Sequence, residues 1–249
     1  MKKITPYIFI STFALIIILL ILFNQIDKIL YNPLTTPEQW LASQPYIEIE
    51  VFSQKITLIQ PSSTFFVYLL GTISILLGLN LLRIRRDTKF ISYWAISMTL
   101  WGIGAILAGT SYQIFSYEIK CVGNLFCNWT SMWEIAYLIL SVGSVNAMLM
   151  AQASIDEKEK IRRIMTRYAM FNYSLYLIAI LIGTIIPIQF LISFELMILF
   201  LAPTVCSLLI LNIRSYFQFK NRVNFSLAII WIFLILIMIE GCHSLMCGL

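Results

Sequence analysis

The chain has 249 residues, of which 60% are hydrophobic and only 12% charged, with a mean hydropathy of +0.87 and a formal net charge of +5. That composition excludes a soluble domain of this length and points to a polytopic membrane protein. The positive charge does not indicate a nucleic-acid partner, because no basic stretch carries interleaved aromatic residues.

A helix needs roughly 20 apolar residues to cross a bilayer core. Seven predominantly apolar runs of that order follow one another, at about 6–23, 62–82, 90–112, 129–152, 168–188, 190–213 and 225–247. They are continuous rather than short and alternating, which favours helices over a β-barrel. The first run follows Lys2 and Lys3 in the manner of a signal peptide. No small-residue cleavage site follows "LILFNQIDK", so it reads as an uncleaved signal anchor. Residues 24–61 form a loop in which "YIEIEVFSQKITLIQ" alternates with period two, predicting a β-hairpin over 46–60. A turn at Ser53-Gln54 would pair Val51 with Ile56 and Ile49 with Leu58 on an apolar face, and Glu50 with Thr57 and Phe52 with Lys55 on a polar one. The hairpin is expected either to cap helix ends or to form a lid over an outer pocket.

Orientation is read from the seventeen lysines and arginines. All but Lys28, Lys55 and Lys120 lie before the first run or in "RIRRDTK", "DEKEKIRRIMTR" and "RSYFQFKNR", which alternate along the chain to one side. Short basic loops stay in the cytoplasm. The expected architecture is therefore an all-α membrane protein, a single membrane domain over 1–249. It is a seven-transmembrane helix bundle in a plasma (bacterial inner) membrane, with the N-terminus inside, the C-terminus outside and a small extracytoplasmic hairpin. Membrane lipids are its immediate partners. Gly71 and Gly78 on the second run and Gly102, Gly104 and Gly109 on the third would permit close helix contact, and Pro203 would kink the sixth.

Polar groups gather at the outer ends of the helices. "AGTSYQ" (Thr110, Ser111, Tyr112 and Gln113) closes the third run, Glu134 opens the fourth, Glu195 opens the sixth, and Glu240 and His243 lie in the last turns of the seventh. Ionisable groups in a membrane span are costly unless they face a cavity or each other, so Thr110, Ser111, Gln113, Glu134, Glu195, Glu240 and His243 define a candidate ligand pocket. Simpler roles compete for some of them. Ser131 and Glu134 fit a capping box, and Glu195 could reach the surface from the positive end of its helix. His243, the one histidine, lies a turn beyond Glu240. With Cys247 the two form one stripe on the helix, a donor set that zinc could use, although it lacks a second His or Cys at ligand spacing. Cys121, Cys127, Cys242 and Cys247 fall on the outer side as disulfide candidates, and cross-links from the 113–128 loop to the last helix are the expected pairing.

Seven helices with "GTSYQ" in the third, an acid in the fourth and a histidine in the last resemble the seven-pass membrane hydrolases that include alkaline ceramidases and adiponectin receptors. The resemblance implies cleavage of lipid amide bonds at zinc, with Glu240, His243, Glu134 and Ser111 as the catalytic candidates. That family's three-histidine zinc site has no counterpart here, since the chain holds one histidine. Three readings follow. The first in rank is a non-catalytic protein binding a lipid or small molecule at the outer leaflet, or serving as an accessory subunit. The second is a ceramidase-like hydrolase of lipid amides or esters. The third is a proton-coupled transporter, ranked last because Asn80 and Asn146 are almost the only polar candidates toward the inner face.

Overall fold

The computed structural model of the chain describes residues 29–52, 54–84, 88–220 and 222–247 and, of the first 28, only Ser11, Ala14, Leu15, Ile18, Leu22 and Ile26; at 51, 54 and 237–247 it describes the backbone alone. Most of the first expected span therefore lies outside the described residues. In chain order the elements are α1 (Pro37–Ala42), β1 (Tyr46–Val51), β2 (Gln54–Ile59), α2 (Pro61–Ile84), α3 (Lys89–Ala108), a π-helical turn (Gly109–Ile114), α4 (Ser116–Lys120), α5 (Met132–Ser154), α6 (Glu159–Ile185), a 3₁₀ turn (Gln189–Ile192), α7 (Phe194–Phe219) and α8 (Arg222–Cys247).

Five of these helices are long and apolar enough to cross a membrane: α2, α3 with its π-helical turn, α5, α6 and α7; the described part of α8 is a shorter apolar helix. Exposure is inverted relative to a soluble protein. Phe65, Phe66, Leu69, Leu70, Ile73, Leu76 and Leu77 of α2 are exposed, while Ser97, Ser144, Asn146, Asn172, Thr204 and Asn212 are buried. An apolar exterior of this extent needs lipid around it, and buried polar side chains then act as interhelical ties. The chain is an integral membrane protein.

Several helix ends differ from the apolar runs for local reasons. α6 begins at Glu159, well before the apolar run at 168, because its charged first turns support themselves. Glu159 pairs with Arg162 at 2.8 Å and with Arg163 at 3.2 Å. α7 begins at Phe194 rather than 190, where Ser193 accepts from the Leu196 amide at 3.3 Å as its N-cap. Pro203 lies inside α7 without ending it.

The fold comprises two compact units. One contains the described parts of Met1–Ile75 together with Trp101–Ser141 and Leu177–Ile192. In it the antiparallel hairpin is present with a register two residues away from the expected one. Ile49 faces Ile56, Ile47 faces Leu58 and Glu48 faces Thr57, so the turn begins at Phe52, whose φ is +48°. A two-residue shift leaves every side chain on its own face, so the alternation could not distinguish the two registers. The buried face is the one carrying Thr57 and Ile59, whereas Ile47 and Ile49 are exposed. Also in this unit, Gly71 and Gly102 bring α2 and α3 together. A Cβ at Gly102 would stand 2.5 Å from the Gly71 carbonyl and 2.8 Å from the Ile75 side chain.

The other unit contains Leu76–Leu100, Val142–Tyr176 and the described parts of Ser193–Leu249. Its helices are tied by buried hydrogen bonds. Ser144 donates to the Ser97 carbonyl at 3.0 Å, and Asn172 donates to Asn146 at 3.3 Å, to Thr204 at 3.2 Å and to the Phe200 carbonyl at 3.1 Å. α7 and α8 pack along each other.

Candidate functional site

The first unit holds four of the candidate residues, three of them in the π-helical turn. A π-turn widens the helix by one residue, here closed by the Phe115 amide donating to the Thr110 carbonyl at 3.1 Å, and such turns recur at functional sites. Thr110 donates to the Ile106 carbonyl at 2.8 Å, which leaves Tyr68 as donor to the Thr110 hydroxyl, also at 2.8 Å. Gly109 makes room for that tyrosine, since a Cβ there would meet the Tyr68 ring at 2.9 Å. Ser111 is fully buried and donates to the Leu107 carbonyl at 3.1 Å. Gln113 donates to Ser63 at 3.1 Å, at the start of α2.

Ser63 belongs to the wall of a cleft of about 410 Å³ at the root of the hairpin, formed by Pro45, Tyr46, Ile47, Gln60, Pro61, Ser62 and Ser63. The strand ends are closed at this root by the Gln60 amide donating to the Pro45 carbonyl at 2.9 Å. The lining offers hydroxyls, an amide and apolar surface. Among the described residues it holds no carboxylate, histidine, lysine or thiol.

Glu134 is positioned differently from a free acid. It sits in the first turn of α5, where its amide donates to Ser131 at 3.4 Å, so Ser131 supplies half of the expected capping box. The carboxylate also meets the Ser131 backbone. It accepts from Thr130 at 3.1 Å and forms an ion pair with Lys120. Both side chains are almost fully buried, at 2% and 3% exposure. The Lys120 ammonium also donates to the Trp129 carbonyl at 3.3 Å and to the Tyr31 hydroxyl at 3.5 Å. It lies 5.8, 5.6 and 5.3 Å from the ring centres of Tyr31, Trp40 and Tyr112, within cation–π range. Burial, and then the negative charge of Glu134, push the Tyr31 phenol well above its ordinary range.

The backbone around this pair is fastened from several directions. Cys121 and Cys127 form a disulfide, and the Asn128 amide donates to the Lys120 carbonyl at 2.9 Å. Residues 29–35 run beside this loop, the Trp129 amide donating to the Ile29 carbonyl at 2.7 Å and Cys127 to Thr35 at 2.8 Å. Glu118, two residues before Lys120, accepts from the Thr57 amide at 2.8 Å and so holds the hairpin to α4. The expected cross-link between the 113–128 loop and the last helix is corrected here. The two loop cysteines are already bonded to each other, with Cα atoms 4.3 Å apart, a separation that their own turn provides.

No protein-family model, curated sequence or solved structure matches this chain.

The remaining candidates fall elsewhere. Glu195 lies in the second unit, exposed in the first turn of α7. The backbone of α8 is helical through Cys247, but the side chains of Glu240, Cys242, His243 and Cys247 lie outside the described residues. Among the described residues no group of three or more His, Cys, Asp or Glu could hold a metal ion. Sequence reading missed Lys120, counted only as one of three outer basic residues, and Glu118. The available signal was a lysine next to a cysteine in a loop that leads into a span opened by a carboxylate.

Proposed function

We propose that the chain is a seven-pass plasma-membrane protein, N-terminus inside and C-terminus outside, that binds a lipid or small molecule at its outer face without transforming it. The observation carrying this reading is the cleft at the root of the hairpin. It has a volume suited to part of a ligand and is lined, among the described residues, by apolar and neutral polar groups. The hairpin, pinned through Glu118, forms one wall of the cleft in the manner of a lid. The hydrolase alternative, ceramidase-like by resemblance, would use Glu134 as a free acid or base. That carboxylate is neutralised by Lys120 and shielded from water, which supports a structural role for it. The basic loops support the stated orientation through the positive-inside rule.

The test is native mass spectrometry of the full chain released from mild detergent, comparing wild type with Ser62→Trp. Ser62 is exposed, so a tryptophan there fills the cleft without disturbing a core. A ligand mass retained by wild type and lost in the variant is expected. A ligand-free wild type, or the same ligand retained in both, would overturn the reading.

A further inference from the structure

We propose a second site, an anionic-phospholipid site between α7 and α8 at the end of the molecule where they join. Ile213, Tyr216 and Phe217 of α7 and Phe225, Ala228, Ile229 and Ile232 of α8 line a groove of about 270 Å³. Ile213, Phe217, Phe225, Ile229 and Ile232 are themselves exposed, so the groove opens on the surface that lipid covers. It is apolar along its length and takes a stretch of acyl chain rather than a polar ligand.

The mouth of the groove supplies the charge. Lys220 ends α7 in the left-handed conformation, its amide donating to the Tyr216 carbonyl at 2.7 Å. That turn brings the ammonium back over the groove, 5.7 Å from the Tyr216 ring centre and 5.4 Å from that of Phe217. Arg222 begins α8 two residues later and is exposed. Among the described residues neither cation has a carboxylate partner, in contrast to Arg214, which pairs with Asp156 at 3.3 Å. The first amides of α8 add positive potential at the same place. Two uncompensated cations above an acyl-sized groove between membrane helices complement a phosphate on its diacyl chain, the arrangement by which basic interhelical pockets hold acidic lipids. The chain enters the groove and the phosphate meets Lys220 and Arg222. This site shares no residue with the outer cleft and stands or falls independently of it.

The test is native mass spectrometry of delipidated full-length protein titrated with dioleoylphosphatidylglycerol or with dioleoylphosphatidylcholine. Wild type is expected to prefer the anionic lipid by about 25-fold, each of two cations contributing about fivefold. Lys220→Gln/Arg222→Gln, at two exposed positions, should abolish that preference while leaving phosphatidylcholine retention unchanged. Ile229→Trp, which fills the groove, should weaken retention of both lipids. Equal retention of the two lipids by wild type, or a preference that survives the double substitution, overturns the site. So does a doubled mass that Ile229→Trp abolishes, which would make the groove an interface between copies.

Discussion

Replacing Lys120 by Met removes the cation from the buried pair while keeping most of its apolar length. The Glu134 carboxylate is then left 2% exposed with only Thr130 and the Ser131 cap near it. Breaking a buried pair by removing one partner costs about 3–5 kcal/mol, because the surviving charge has neither water nor a counter-charge. For a chain of this size each kcal/mol moves the midpoint by roughly 2–4 °C. The expected loss is therefore about 6–20 °C in the Tm of the detergent-solubilised protein, followed by tryptophan fluorescence. Glu134→Leu alone should cost a similar amount. Lys120→Met/Glu134→Leu removes both charges and replaces them with apolar volume, and such replacements are often close to neutral. The double variant should therefore be more stable than either single one. Single losses below about 1 kcal/mol, the range of exposed pairs, or losses that simply add in the double variant, would refute the argument for a buried, coupled pair.

Three further outcomes follow from the same unit. The tryptic peptide that begins at Cys121 should carry its own disulfide, two hydrogens lighter than the reduced form, and Cys127→Ser should cost about 2 kcal/mol for so short a loop; recovery of Cys121 joined to Cys242 or Cys247 would contradict the pairing. Gly102→Ala should destabilise by about 1–3 kcal/mol, since its Cβ would meet the Gly71 carbonyl, whereas Gly104→Ala, whose nearest neighbour would be 3.5 Å away, should be nearly neutral in the same melt. Because burial holds the Tyr31 phenol above the ordinary tyrosine range, the folded state keeps a proton that the unfolded chain gives up. Stability from this group is complete below pH 10 and falls as pH rises past it. A phenolate absorbance titration should show a late component that Tyr31→Phe diminishes.

Much of the architecture was legible because hydrophobic runs and polar punctuation are local signals. The spans expected at 62–82, 90–112 and 190–213 correspond to α2, α3 with its π-helical turn, and α7, the last starting later where Ser193 caps it, while α6 starts well before the run at 168 where the Glu159 pairs support its first turn. The hairpin was legible from period two, but its register was not, because a shift of two residues preserves the pattern of faces. The role of Glu134 was half legible. Ser131 caps its helix as the spacing indicated, but the carboxylate goes to Lys120, a partner 14 positions away that only the folded loop brings near. The disulfide pairing was not legible, because the four cysteines expected on one side permit three pairings and spacing alone does not choose among them.

The central claim, an outer site that binds rather than cleaves, is tested most directly by the metal content of the detergent-purified protein. It is to be measured by inductively coupled plasma mass spectrometry on wild type, His243→Ala and Glu240→Gln. The account predicts no near-stoichiometric metal in well-folded wild type and no change in either variant. Near-stoichiometric zinc in wild type that disappears in both variants would contradict it and make the membrane hydrolase the leading reading.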